Sequence, residues 1–353
     1  MGDLPIGGQV GEQLNNRMHL SIVGCDEEFV LSHLAARGCR FFGERYILVD
    51  VSATLRPYRQ RLLAAANLLL GVVALWLFFV KTPLGQILDT FAMAYVQILD
   101  RFDGPSMAII GAVISTPTLA TITAAVCLVA VVRRRWQLAA RVVVIFGGAN
   151  ITTQLLKSYV LGRVNYLAEW ATPPSLPSGH TTAAATIAVA IIIVVPSRYR
   201  PWASAFGALW VSFVGLVIIA NGWHRPSDLV AALLVTGAWA TVFAPSERGR
   251  VWGGALRRYF WRAGIALSAI GVSGALVGAV IVWRAGMLTY RTTKIFDLPL
   301  SDYPGLGAVL AIAGICSIIG SVLLVMRSVD AKRQGQAVPP KTVRPVATAP
   351  TAR

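Results

Sequence analysis

The sequence predicts an all-α, polytopic membrane bundle of about eight transmembrane helices. Three observations carry this. Only 14% of the 353 residues are charged and 56% are hydrophobic, whereas a soluble domain carries about a quarter charged residues. Apolar runs of about 20 residues, the length that crosses a hydrocarbon core as a helix, recur along the chain. Lys and Arg collect in the short segments between those runs and in the two tails, as the positive-inside pattern requires. The net charge of +16 is therefore assigned to topology and to anionic lipid headgroups. Nucleic acid is not an expected partner, because no basic-aromatic binding motif accompanies the charge.

Residues 1–60 are polar and mixed and read as a cytoplasmic N-terminal extension. The first long apolar run begins only near Leu62, so no cleavable signal peptide is expected. FVLSHLAARGCRFF in this region has amphipathic helical character, but a partly ordered tail is preferred. Cys25 and Cys39 flank His33 there, at a spacing that matches no common zinc pattern. Cys127 and Cys316 fall inside apolar runs and read as small core residues.

The first span is placed at about Leu62–Val80. The stretch from Lys81 to Pro105 is partly apolar but broken by Asp89, Asp100 and Asp103, and is expected as an interfacial helix on the outer surface. The second span, about Ser106–Val132, has Pro117 as a kink or entry point and stops at Arg133, Arg134 and Arg135. The third covers about Leu138–Leu156 and delivers Lys157 to the opposite side. After a loop with Arg163 and Trp170, the fourth runs over about Ser178–Val195. The fifth covers about Trp202–Gly222, and a very short turn with His224 and Arg225 leads to the sixth, about Pro226–Ala244. Spans at about Ile265–Trp283 and Leu306–Met326 complete the set, their Gly271, Gly274, Gly278, Gly314 and Gly320 read as close-packing positions. The tail from Arg327 has a disordered composition.

An even number of spans puts both termini on one side. Of the 32 Lys and Arg, eight lie opposite the termini (Lys81, Arg101, Lys157, Arg163, Arg225, Arg284, Arg291 and Lys294) and the other 24 lie with them. That asymmetry predicts cytoplasmic termini in a cell membrane. The polar clusters of the central stretch then face outward.

Those clusters hold the chemistry. In Pro177-Ser178-Gly179-His180, Ser178 is placed to cap a helix whose free N–H groups attract an anion. Gly179 permits close backbone approach, and His180 sits in the first turn. In GWHRPSD, His224 and Asp228 are four apart and share a face if the stretch is helical. A carboxylate on one ring nitrogen fixes the tautomer and leaves the other nitrogen nucleophilic. A charged Asp at a span needs a partner or a function. Lys157 and Arg163 suit phosphate oxygens as a point charge and a planar fork. Together these residues read as a phosphoryl-transfer site at the mouth of the bundle.

With these residues in view, the chain resembles the type 2 phosphatidic acid phosphatase (PAP2) superfamily, whose signature is K-x6-R-P, P-S-G-H and S-R-x5-H-x3-D. The resemblance covers roughly Ser106 to Ala244. It implies a six-helix core within a membrane catalytic domain at 61–245, followed by additional spans at 246–326 and a basic tail at 327–353. It implies His224 as the nucleophile, Asp228 as its orienting partner and His180 as the acid for the leaving group. Lys157, Arg163, Ser178 and Gly179 would hold the phosphoryl oxygens, and no metal or cofactor is expected. Three features depart from the signature. Only five residues separate Lys157 from Arg163, Val164 replaces the proline, and Val217-Ile218 replace Ser-Arg; Arg225 is the candidate to supply the missing charge. The implied function is metal-independent hydrolysis of a lipid phosphate or diphosphate. The substrate candidates are phosphatidic acid, phosphatidylglycerophosphate and polyprenyl diphosphate. The alternatives are a lipid-linked phosphotransferase and a non-catalytic lipid-phosphate binder or transporter.

Overall fold

A computed structural model of the chain describes residues 20–21, 49–99, 112, 115–166, 175–245, 254–285 and 304–332. Cys25, His33, Cys39, the amphipathic stretch around them, Asp100, Asp103 and Trp170 lie outside these residues. The chain divides into two compact units, Met1–Ala64 and Ala65–Arg353. In the first, Leu20–Ser21 (β1) pairs antiparallel with Val49–Asp50 (β2), and the first helix already starts at Val51. The sequence places the first apolar run only from Leu62.

The remaining described architecture is helical. The helices are α1 (Val51–Leu75, prolonged by a π turn, Trp76–Val80), α2 (Pro83–Leu99) and α3 (Thr116–Val132). Then come α4 (Trp136–Leu155, with a π turn at Leu156–Val160), α5 (Gly179–Val194) and α6 (Arg200–Ala220). The series ends with α7 (Pro226–Phe243), α8 (Gly254–Arg284) and α9 (Pro304–Lys332). Six stretches are long and apolar enough to cross a membrane: Tyr58–Val80, Trp136–Val160, Ser197–Ala220, Pro226–Phe243, Gly254–Arg284 and Gly305–Val329. Pro117–Val132 and Gly179–Val194 are shorter apolar helices. These eight overlap the runs read from the sequence, α3 covering only the later part of the run expected at about Ser106–Val132. The bundle is the polytopic all-α fold that the sequence predicts, with six of the described helices, against about eight expected, long and apolar enough to cross a membrane. Pro117 opens α3 in its first turn, where its missing N–H costs nothing.

The core is built around α5 and α7. Both are apolar nearly all round, the mark of a helix enclosed by other helices. Ala184, Ala185, Val189, Ile192 and Ile193 of α5 are buried together with Val211, Val214 and Ile218 of α6 and Leu229 and Leu233 of α7. Ile318, Val322 and Met326 of α9 join the same cluster. Val217 and Ile218, which stand where the family signature has Ser-Arg, are thus interior apolar residues.

Helices α8 and α9 meet along glycines, as expected of close-packed membrane helices. A Cβ on Gly271 would lie 2.0 Å from Ser317 Oγ and 2.8 Å from the Ala313 carbonyl, and one on Gly320 would lie 2.6 Å from Ser268 Oγ. Gly314 turns instead toward α7, where a Cβ would meet Pro226 at 2.8 Å. Gly271→Val is expected to separate α8 from α9 at a cost of about 1–3 kcal/mol. Thermal unfolding in detergent should show a lowered midpoint, and an unchanged midpoint would contradict this packing.

Two expectations are corrected. The segment after Lys81 is not a surface helix, because residues 85–94 of α2 are buried without interruption. Its apolar side chains Ile87, Leu88 and Phe91 pack with Val282 of α8 and Leu306 and Leu310 of α9. Its polar side chains point at other protein groups, as described below. The second correction concerns the tail. Helix α9 continues through Lys332 because Met326 and Val329 are still buried and the Arg327 guanidinium lies 4.3 Å from the centre of the Trp261 ring.

Candidate active site

Four helix ends converge at one end of the bundle: the last turn of α4, the starts of α5 and α7, and the end of α6. Ser178 is the N-cap of α5. Its Oγ accepts from the Thr181 backbone N–H (3.3 Å) and from the Thr181 hydroxyl (3.0 Å). The Ser178 backbone N–H donates to the Asp228 carbonyl at 3.0 Å, which ties the start of α5 to the start of α7. A Cβ on Gly179 would come within 3.3 Å of the Gln154 amide. His180 follows in the first turn, half-buried, with its ring 5.8 Å from that of Trp223.

Helix α6 ends in a Schellman arrangement. The Gly222 N–H donates to the Ile219 carbonyl at 2.8 Å and the Trp223 N–H to the Ile218 carbonyl at 3.0 Å. Gly222 has φ +66°, and a Cβ there would run into Gln97 at 2.1 Å, so glycine is required on both counts. This turn aims His224 inward, where it is buried.

His224 precedes α7, whose N-cap is Arg225 and whose first helical residue is Pro226. The His224–Asp228 pair is therefore not made on one helical face, as the four-residue spacing suggested; it is made by a cap. Asp228 Oδ2 lies 3.1 Å from His224 Nδ1 and accepts the Arg225 backbone N–H at 3.2 Å. A carboxylate at the third position of a helix serves the open N–H groups there, and the same oxygen holds the imidazole. With Nδ1 donating to Asp228, Nε2 carries the free lone pair.

Cations surround this pair. Lys157 stands in the π turn that ends α4. Arg163 follows in the loop, half-buried, with its Nε donating to Asn165 Oδ1 at 3.0 Å. Burial, and then the charge of Arg225, pull the Arg163 pKa below its ordinary value, while Asp228 and Asp89 oppose this. The two guanidiniums thus feel each other's charge, and an anion beside them relieves the repulsion. His180 lies within electrostatic reach of both His224 and Lys157. The structure therefore gathers His180, His224, Asp228, Lys157, Arg163, Ser178, Gly179 and Arg225 at one end of the bundle. Among the described residues no three His, Cys, Asp or Glu side chains cluster as metal ligands do.

Helix α2 adds residues that the sequence reading left in a surface connector. Asp89, buried, accepts the Ser227 backbone N–H at 3.0 Å through Oδ1 and the Ser227 hydroxyl at 2.5 Å through Oδ2. Thr90 Oγ1 accepts from Arg225 Nε at 3.2 Å. Burial, and then the neighbouring Asp228, push the Asp89 carboxyl up to about 7, against the hydrogen bonds from Ser227 and the charge of Arg225. The available signal was a carboxylate within an otherwise apolar stretch, with Gln86, Asp89 and Thr90 at helical spacing.

The rim is apolar and aromatic. Beside Lys157, Tyr159 is 83% exposed, and Trp223 is 44% exposed. Such side chains belong at the level of lipid headgroups.

No curated protein and no solved structure matches the chain. Residues 139–252, which hold every site residue outside α2, match the model of the PAP2 superfamily. With the motif residues gathered at one end of a bundle of membrane-length helices, this stretch of a polytopic membrane chain is similar to the PAP2 superfamily, a family of phosphatase-type proteins.

Proposed function

We propose that this protein hydrolyses a phosphate monoester or diphosphate carried on a lipid, through a phosphohistidine at His224. The observation that carries the proposal is the pairing of His224 Nδ1 with Asp228 Oδ2 beside His180 and the cations Lys157, Arg163 and Arg225. Nε2 of His224 attacks phosphorus and the bond to the leaving oxygen breaks. His180, protonated, donates its proton to that oxygen. Water then attacks the phosphohistidine, neutral His180 takes a proton from it, and the P–N bond breaks to release phosphate. Asp228 compensates the positive charge of the phosphorylated ring in between. Lys157, Arg163 and the amides at the start of α5 take up the charge that spreads over the phosphoryl oxygens.

The exposed aromatic rim beside the cations supports a lipid rather than a soluble ester. The distribution of Lys and Arg supports a cell membrane with cytoplasmic termini and an outward-facing site. The test is phosphate release in detergent from phosphatidic acid, phosphatidylglycerophosphate and a polyprenyl diphosphate, with His224→Ala as control. Release from at least one of them supports hydrolysis. Transfer of labelled phosphate to an alcohol acceptor without release would point to a phosphotransferase, and binding without turnover to a carrier.

Arg225→Ala is expected to lower turnover about 100-fold, because its charge sits beside Arg163 at a position that replaces the missing motif arginine. Size-exclusion in detergent should show an unaltered fold. Wild-type turnover in that variant would remove Arg225 from the phosphate site.

A further inference from the structure

Resting on the phosphoryl-transfer assignment above, we propose that α2 is the positioning element of this site, with Asp89 its decisive residue. Gln86, Asp89 and Thr90 lie at i, i+3 and i+4 and so share one helical face. All three are buried, and each is bonded to a segment that carries site residues.

Gln86 serves the Arg163 loop. Its Nε2 donates to the Val164 carbonyl and to the Val80 carbonyl, and its Oε1 accepts the Tyr166 backbone N–H at 3.3 Å. Asp89 and Thr90 serve the start of α7. Asp89 takes both donors of Ser227, the residue directly before Asp228, and Thr90 takes Arg225 Nε. One rigid helix thus sets the distance between the phosphate-holding loop and the nucleophile. Among the described residues the loop is also held by the Trp76 indole N–H on the Gly162 carbonyl and the Tyr166 hydroxyl on the Lys81 carbonyl, and the start of α7 by the Ser178 N–H on the Asp228 carbonyl. Helix α2 differs from these anchors in holding both segments from one face. A buried carboxylate is costly unless its partners repay it, and the partners found here lead to the site.

Two kinds of defect follow from the two attachments. Loosening the start of α7 displaces the attacking nitrogen, which lowers kcat. Loosening the loop displaces Arg163, which raises KM.

The test uses the full-length protein in detergent with whichever lipid phosphate it turns over. Asp89→Ala is expected to lower kcat about 30-fold with KM within about 2-fold of wild type, since small displacements of a reacting group cost rates of this order. Asp89→Asn, which retains an acceptor for the Ser227 N–H and can hydrogen-bond its hydroxyl, should recover at least a third of the wild-type kcat. Gln86→Leu should instead raise KM about 10-fold with the smaller effect on kcat. If Asp89→Ala does not fold, Ser227→Ala takes its place, and it should lower kcat about 10-fold. Wild-type kcat in folded Asp89→Ala, or in Ser227→Ala, overturns the proposal. Equal losses in Asp89→Ala and Asp89→Asn also overturn it, because charge and not placement would then be decisive. An inactive wild type against every lipid phosphate would instead refute the phosphatase assignment itself.

Discussion

His224→Ala is expected to abolish phosphate release, with kcat falling by about 10⁴-fold or more. The whole reaction passes through one nitrogen, and no neighbouring side chain can replace it. His180 is the nearest imidazole, but it sits at the start of α5 without a carboxylate on its ring among its described bonds. The variant is expected to fold, because His224 lies outside α7 and the Arg225 N–H keeps Asp228 as its acceptor. The diagnostic measurement is a rapid alkaline quench with labelled substrate. Wild type should trap acid-labile label on protein, and the variant should trap none. Residual turnover within tenfold of wild type would remove His224 as the nucleophile, and with it the phosphohistidine.

The second large effect is at Asp228, where the geometry separates two substitutions. A single oxygen, Oδ2, serves both His224 Nδ1 and the Arg225 backbone N–H. Asn can place its carbonyl oxygen at that point and keep both bonds. What it loses is the negative charge that favours a cationic ring during transfer, so Asp228→Asn is expected to cost about 100-fold in kcat. Asp228→Ala loses both bonds and frees the imidazole to rotate and change tautomer, so about 10⁴-fold is expected. The alanine variant also loses a helix-end acceptor, which destabilises by about 1 kcal/mol. The measurement is kcat for both proteins at matched folded concentration. Equal kcat in the two variants would mean that charge alone matters and that the cap geometry does not orient the ring.

The candidate active site was only partly legible in the chain. Ser178 before an apolar run has the local signature of a helix cap, and the structure shows that cap. The four-residue spacing of His224 and Asp228 gives a shared face only if the stretch is helical. Pro226 starts the helix after His224, and the contact is made by a carboxylate capping the N-terminus. Gly222 shows why the turn is so short, through a positive φ and the close approach of Gln97.

The amino-acid sequence by itself determined that the chain is a bundle of apolar helices and where most of them lie, since run length and flanking charge are local properties that the bilayer reads directly. It also determined that the motif residues stand at helix ends. Only the tertiary structure decided that α2 is interior. A helix enclosed by α7, α8 and α9 lacks a solvent-facing side, and the three polar residues on one of its faces look like interruptions of an apolar run until their partners are known. The long-range bonds from Asp89 to Ser227 and from Thr90 to Arg225 span well over a hundred residues of chain. No local pattern encodes such contacts. They exist because a buried polar group must find a donor or acceptor, and the packing of the bundle determines which one is within reach.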